Sequence, residues 1–251
     1  MNQIQSYLNK LEQEYNIEIL LAVETGSRAW GFPSPDSDYD IRMIYKHPVD
    51  WYISIDDPKD TIELMLDNNE IDITGWDVRK SLQLLRISNA ALLERIQSNI
   101  IYKVNESFLS DLKVLSLDYY SRISTIHHYI SMAKKCFEDV SNTEKYKLKR
   151  FFYGLRAALN CMYILNNADI PPISFPEVVN CLNISNECKS RIFELIQLKS
   201  TINEDYLHTG EKELISLMSN SIDIAEQYAL TLPSGNRSYQ PLNEFLHQII
   251  L

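Results

Sequence analysis

Apolar positions along this chain change their period near residue 77. Before it, most apolar runs are short and alternate; after it, almost all follow helical spacing. Ile4, Leu8 and Leu11 recur at helical intervals in the polar segment 3–15, which predicts an amphipathic helix. Residues 17–23 (IEILLAV) and 39–45 (YDIRMIY) read as strands. Residues 61–66 and 70–74, separated by Asp67-Asn68-Asn69, read as a hairpin. Helical spacing then covers 77–97, 106–117, 119–139, 144–166, 187–199 and 211–230, with breaks at Pro171-Pro172, near Asn203 and at Pro233-Ser234-Gly235. Strands in the first third and helices in the rest imply an α+β fold: an amino-terminal domain over 1–117 and a helical domain over 118–251. No internal repeat or low-complexity segment is visible.

Composition narrows the class. The chain has 251 residues, 45% hydrophobic and 23% charged, which fits a globular protein and excludes a disordered one. The amino-terminal segment lacks the apolar core of a signal peptide, and residues 17–23 are too few to span a bilayer. A cytoplasmic location without membrane attachment is expected. Cys136, Cys161, Cys181 and Cys188 have no metal-site or disulfide spacing and read as reduced thiols. A net charge of −10 argues against a generic nucleic-acid coat, although it leaves room for a local basic channel.

The candidate chemistry lies in the strand region. In a strand, residues two apart share a face, so Asp38 and Asp40 project together while Tyr39 and Ile41 turn to the core. Two such carboxylates repel unless a cation lies between them, and hard oxygen donors suit Mg²⁺ or Mn²⁺. Asp72, between Ile71 and Ile73, would join them if its strand pairs alongside. Three acids can hold two divalent ions, the arrangement of two-metal phosphoryl transfer. Gly26-Ser27 follows a strand at once, where backbone N–H groups face an anion and glycine permits close approach of a phosphate. Arg28 can reach phosphate or pair with a nearby acid.

Each motif alone has a plainer reading: Gly-Ser as a turn, Asp-x-Asp as a turn or cap, Asp72 as a solvated strand residue. An EF-hand loop starting at Asp36 fails, because Ile41 stands where glycine is needed and His47 where glutamate is needed.

The helix over 144–166 carries a basic cluster unusual in so acidic a chain. Lys145, Lys149, Phe152 and Arg156 share one face, and Tyr146, Arg150 and Tyr153 an adjoining one. Two readings stand: a nucleotide clamp, with Lys149 or Arg156 on phosphate and Tyr153 on the base, or a solvated helix face. Trp30 and Trp76 read as packing anchors, His127-His128 as one buried and one exposed histidine, and His208 as a loop residue.

The segments 24–32 (ETGSRAWGF) and 34–40 (SPDSDYD) together resemble the predicted nucleotidyltransferases of the RNA-ligase-associated (RlaP-type) family in the DNA polymerase beta superfamily. Residues 72–77 (DITGWD) with Arg79-Lys80 are similar to that family's third-acid segment. Residues 147–153 (KLKRFFY) with Leu155-Arg156 are similar to its Lys/Tyr/Arg helix, and Leu198-Lys199 shows a looser likeness. The resemblance spans roughly 20–200. It implies a small mixed β-sheet with helices on one side, followed here by a carboxy-terminal helical domain. It also implies a metal-dependent nucleotidyltransferase that moves an NMP from an NTP to an acceptor hydroxyl and releases pyrophosphate. Gly26 and Ser27 would bind the triphosphate, Asp38 and Asp40 two Mg²⁺ or Mn²⁺ ions, and Asp72 the catalytic one.

The acceptor stays open. The first candidate is a nucleic-acid 3′ end of RNA or DNA, as in RNA repair or template-independent oligonucleotide synthesis. AMPylation of a protein, in a toxin–antitoxin or antiviral defence system, is the second. A nucleotide-binding antitoxin or regulatory subunit without turnover is the third. The long amphipathic helix over 119–139 is suited to pairing between copies in a homo-oligomer.

Overall fold

The computed structural model describes residues 2–55 and 58–251. The chain divides into two compact units. In place of one cut near 117, the chain changes unit at four points. The first unit comprises residues 1–29, 38–120 and 235–251, and the second 30–37 and 121–234.

In the first unit, α1 (Asn2–Tyr15) leads into β1 (Glu18–Glu24), the short α2 (Gly26–Trp30), whose last residue Trp30 already belongs to the second unit, and β2 (Tyr39–Lys46). Then come α3 (Val49–Ile53), the hairpin β3 (Thr61–Leu66) and β4 (Ile71–Asp77), helices α4 (Val78–Arg86) and α5 (Ala90–Gln97), β5 (Ile101–Val104) and α6 (Glu106–Tyr119). The five strands form one mixed sheet in the order β3-β4-β2-β1-β5. Only β2 and β4 run parallel; the other three pairings are antiparallel. The α+β class and the small mixed sheet are as expected.

Alternation explains the packing. Ile41, Met43 and Tyr45 of β2 and Ile71 and Ile73 of β4 share a core with Ile4, Leu8 and Leu11 of α1. Each of these α1 side chains is at most 5% exposed, and burying one stabilises by roughly 1.5–3 kcal/mol. The even-numbered positions Asp40, Arg42, Asp72 and Trp76 therefore lie on the opposite face, where Arg95 of α5 packs on Trp76. Helices cover both faces, not one, because this second face has its own helix.

Several boundaries differ from expectation. The helix predicted over 77–97 is broken at Ser88, whose φ is +56°, and Asn89 caps α5 by accepting from the Leu92 N–H. Strand β5 fell in a gap between predicted helices. Tyr39, expected in the core, is 37% exposed because the strand only begins there, at its end.

The second unit contains α7 (Arg122–Ser141), the two-residue β6 (Tyr146–Lys147), α8 (Leu148–Asn166), α9 (Phe175–Cys181), α10 (Asn186–Lys199), the two-residue β7 (Leu207–His208) and α11 (Lys212–Tyr228). Helices α7, α8 and α11 pack against one another. The segment 30–37 inserts Phe32 into this unit's core, stacked on Phe152 at 5.0 Å and edge-on to Phe175 at 5.7 Å. His127 and His128 are both exposed, since Ile126, Tyr129 and Ile130 already fill the buried face of α7. His208 is in β7, buried, and bonded to Glu211. The four cysteines are free thiols. The final helix, α12 (Gln240–Ile250), belongs to the first unit. Among the described residues, no helix is long and apolar enough to cross a membrane.

Candidate active site

The centre of the first unit's site is the junction where β1 ends and β2 begins. Glu24, last in β1, is 1% exposed; its carboxylate accepts the Asp40 N–H at 2.7 Å and the Tyr102 hydroxyl. The Thr25 N–H donates back to the Asp40 carbonyl at 2.8 Å. Burial pushes the Glu24 carboxyl up; the Tyr102 hydroxyl and Asp40 N–H oppose that rise, and the charge of Asp40 adds to it.

Gly26 follows with φ +62°, and a Cβ at this position would stand 2.0 Å from Asp40 Oδ2. Only glycine leaves room for that carboxylate against the backbone. Ser27 is buried in the first turn of α2. Arg28 donates through Nε to the Asp38 carbonyl at 3.0 Å and lies 4.0 Å above the Tyr39 ring. Asp38 itself stands one residue before β2 and is partly exposed.

Asp40 and Asp72 are brought together as the strand reading required. They are direct partners on the parallel pair β2–β4. Between them lies Arg42, which the sequence reading passed over. Its Nη2 donates to Asp40 Oδ1 at 2.6 Å and to Asp72 Oδ2 at 2.7 Å. Its Nη1 donates to the carbonyls of Ile41 at 3.1 Å and Asp72 at 3.0 Å. The period-two rule that paired the acids also places Arg42 on their face, so the signal was present.

Arg95, 3% exposed, is a second cation in this region. Its guanidinium lies 3.3 Å from the Trp76 ring centroid and donates to the Met43 carbonyl. Burial lowers its pKa, as does the positive charge of Arg42, while Asp72 raises it. Nothing in its helical context marked it in the sequence.

Among the described residues, no three His, Cys, Asp or Glu side chains are grouped to hold a metal ion. The pair Asp40–Asp72 nevertheless suits a divalent cation, because both offer hard oxygen donors that already converge on one cationic nitrogen. Asp38 accepts from Arg28 through its backbone carbonyl.

The second unit holds the other candidates. The face predicted from Lys145 onward is cut short, because Tyr146 and Lys147 pair with His208 and Leu207 as a strand before the helix starts. Lys145 is exposed, and Arg150 pairs with Asp139. Lys149 is ion-paired with Glu204, and Tyr153 meets the Trp30 ring edge-on at 5.1 Å. Arg156 is 2% exposed with its guanidinium 4.2 Å from the Trp30 ring centroid, so this is not a wholly solvated face. Two further residues stand out. Lys199, 1% exposed, donates to Ser34 Oγ at 2.8 Å, and Glu204 accepts from Ser37 Oγ at 3.0 Å. The looser family likeness at Leu198-Lys199 marked the first in the sequence; nothing marked the second.

The Bacillus subtilis (strain 168) "Uncharacterized protein YcgL" is 39% identical over 192 residues, covering 76% of this chain and 74% of that protein. A crystal structure of a nucleotidyltransferase-like protein from Exiguobacterium sibiricum 255-15 aligns with a TM-score of 0.33 at 12% identity, over 91% of this chain and 75% of that one. That similarity is too distant to carry an argument. The RlaP family, described as the RNA repair pathway DNA polymerase beta family, matches residues 1–248. With that match running through both units, the chain belongs to the RlaP family of polymerase-beta-type nucleotidyltransferases.

Proposed function

We propose that this protein transfers an NMP from an NTP to the 3′ hydroxyl of an RNA end and releases pyrophosphate. One observation carries the reading: Asp40 and Asp72, partners on parallel strands, converge on one cation beside the glycine that opens α2. The family description, an RNA repair pathway, supports RNA as the acceptor.

Asp40 and Asp72 would hold Mg²⁺ or Mn²⁺, with Asp38 supplying a further carboxylate for a second ion. Bound divalent ions supply Lewis acidity, which lowers the pKa of the attacking hydroxyl and offsets charge on the leaving pyrophosphate. Gly26 would let the triphosphate approach the backbone, and Ser27 would add a hydroxyl donor. Arg28 would hold the start of β2 through the Asp38 carbonyl. Glu24 would fix Asp40 through its backbone N–H. Within the helical unit, Arg156 would hold Trp30.

The test is incubation of the full chain with each α-labelled NTP, Mg²⁺ or Mn²⁺, and RNA, DNA or no acceptor. Label on RNA 3′ ends with equimolar pyrophosphate is expected. Label on protein would move the acceptor to a side chain, and nucleotide binding without any pyrophosphate would contradict the reading.

A further inference from the structure

Arg42 does more than sit near the acids. The same nitrogen, Nη2, bonds both Asp40 and Asp72, while Nη1 bonds two carbonyls, so four acceptors hold the guanidinium flat across β2 and β4. Asp40 has no room to turn away toward α2, because its Oδ2 already lies against Gly26. Without a cation, two carboxylates in register on adjacent strands would repel. With Arg42, the formal charge of the group falls from −2 to −1.

We propose that Arg42 is a resident counter-ion: it fills the place between Asp40 and Asp72 that a divalent ion takes, and ion entry requires the guanidinium to leave. This rests on the metal role given to the two acids above. Carboxylate oxygens lie about 2.0–2.1 Å from Mg²⁺, too close for a nitrogen to remain between the same two oxygens. The metal-free fold is then self-sufficient, and metal affinity is set by exchange of one cation for another. The released guanidinium becomes a free donor fork at the site's edge, suited to a phosphate oxygen of the incoming triphosphate.

The experiment is Mn²⁺ titration of the nucleotide-free full chain by calorimetry, with thermal melts in chelator and in Mn²⁺. Arg42→Gln removes the charge, and Arg42→Lys keeps it without the fork. R42Q is expected to bind Mn²⁺ at least about tenfold more tightly than wild type, with R42K in between. R42Q is also expected to melt lower in chelator and recover with Mn²⁺. Should R42Q fail to fold even with Mn²⁺, R42K carries the comparison: tighter binding supports exchange, and equal or weaker binding overturns it. Equal or weaker Mn²⁺ binding by R42Q overturns the counter-ion role alone. Absence of Mn²⁺ binding in wild type and both variants overturns the metal site of the proposed function with it.

Discussion

Gly26→Ala tests the contact that defines the site. The new methyl would meet Asp40 Oδ2 at 2.0 Å, Cγ at 2.8 Å and Cβ at 3.2 Å, on a backbone with φ +62°. The left-handed conformation costs alanine about 1–2 kcal/mol. The Asp40 carboxylate must also rotate away, weakening its bond to Arg42. A charged hydrogen bond is worth roughly 1.5–3 kcal/mol, but these side chains are 19% and 18% exposed, so solvent screening reduces the loss to about 1 kcal/mol. Alanine restricts the unfolded chain and returns about 0.5 kcal/mol. The expected net destabilisation is about 2 kcal/mol, read by urea denaturation. The same substitution in an Asp40→Ala background meets only the Cβ, and its cost should fall to about 1 kcal/mol. If G26A is as stable as wild type, or costs as much with Asp40 removed, the close-approach argument fails.

Two further outcomes follow from buried charge. Asp77 is fully buried; its Oδ1 caps α4 at the Arg79 N–H and its Oδ2 accepts the Tyr52 hydroxyl, yet burial raises its pKa above the ordinary 3.8. A raised carboxyl stabilises the fold fully below the unfolded pKa and loses that contribution as pH rises through the folded one. Asp77→Asn keeps a good cap and cannot titrate, so the stability of wild type relative to D77N should decline as pH rises above 3.8; urea melts at successive pH values showing the opposite slope would contradict this. In the helical unit, Lys199→Ala removes a buried stem and strands Ser34, and should cost about 2–4 kcal/mol. Lys199→Met keeps the stem, and thermal or urea melts should show it losing less than half as much.

The strand region was legible because its side chains obey one simple rule. Short apolar runs and alternation located β1 through β4 and set Ile41 apart from Asp40, and left Asp72 beside Asp40 only if its strand paired with β2, as it does. The same rule places Arg42 on the face of Asp40. What stayed hidden depends on distant partners or on backbone without a residue signature. Four residues, Ile101–Val104, become a strand only because β1 offers an edge. Tyr146 and Lys147 leave the helical pattern for Leu207 and His208, some 60 residues away. Ser88 breaks a helix at positive φ with neither glycine nor proline to announce it. Residues 33–37 (PSPDS) carry only the signature of a turn, yet Phe32 just before them commits the segment 30–37 to the helical unit's core.

The proposed function places nucleotidyl transfer at Asp40 and Asp72. The most direct measurement is pyrophosphate release coupled to label on an RNA 3′ end, for wild type, Asp40→Asn and Asp72→Asn at matched concentration. Wild type should label RNA with stoichiometric pyrophosphate, and each variant, folded by circular dichroism, should lose at least about 100-fold in rate. Labelling by either variant at the wild-type rate, or a folded wild type that releases no pyrophosphate from any NTP with Mg²⁺ or Mn²⁺, would contradict it.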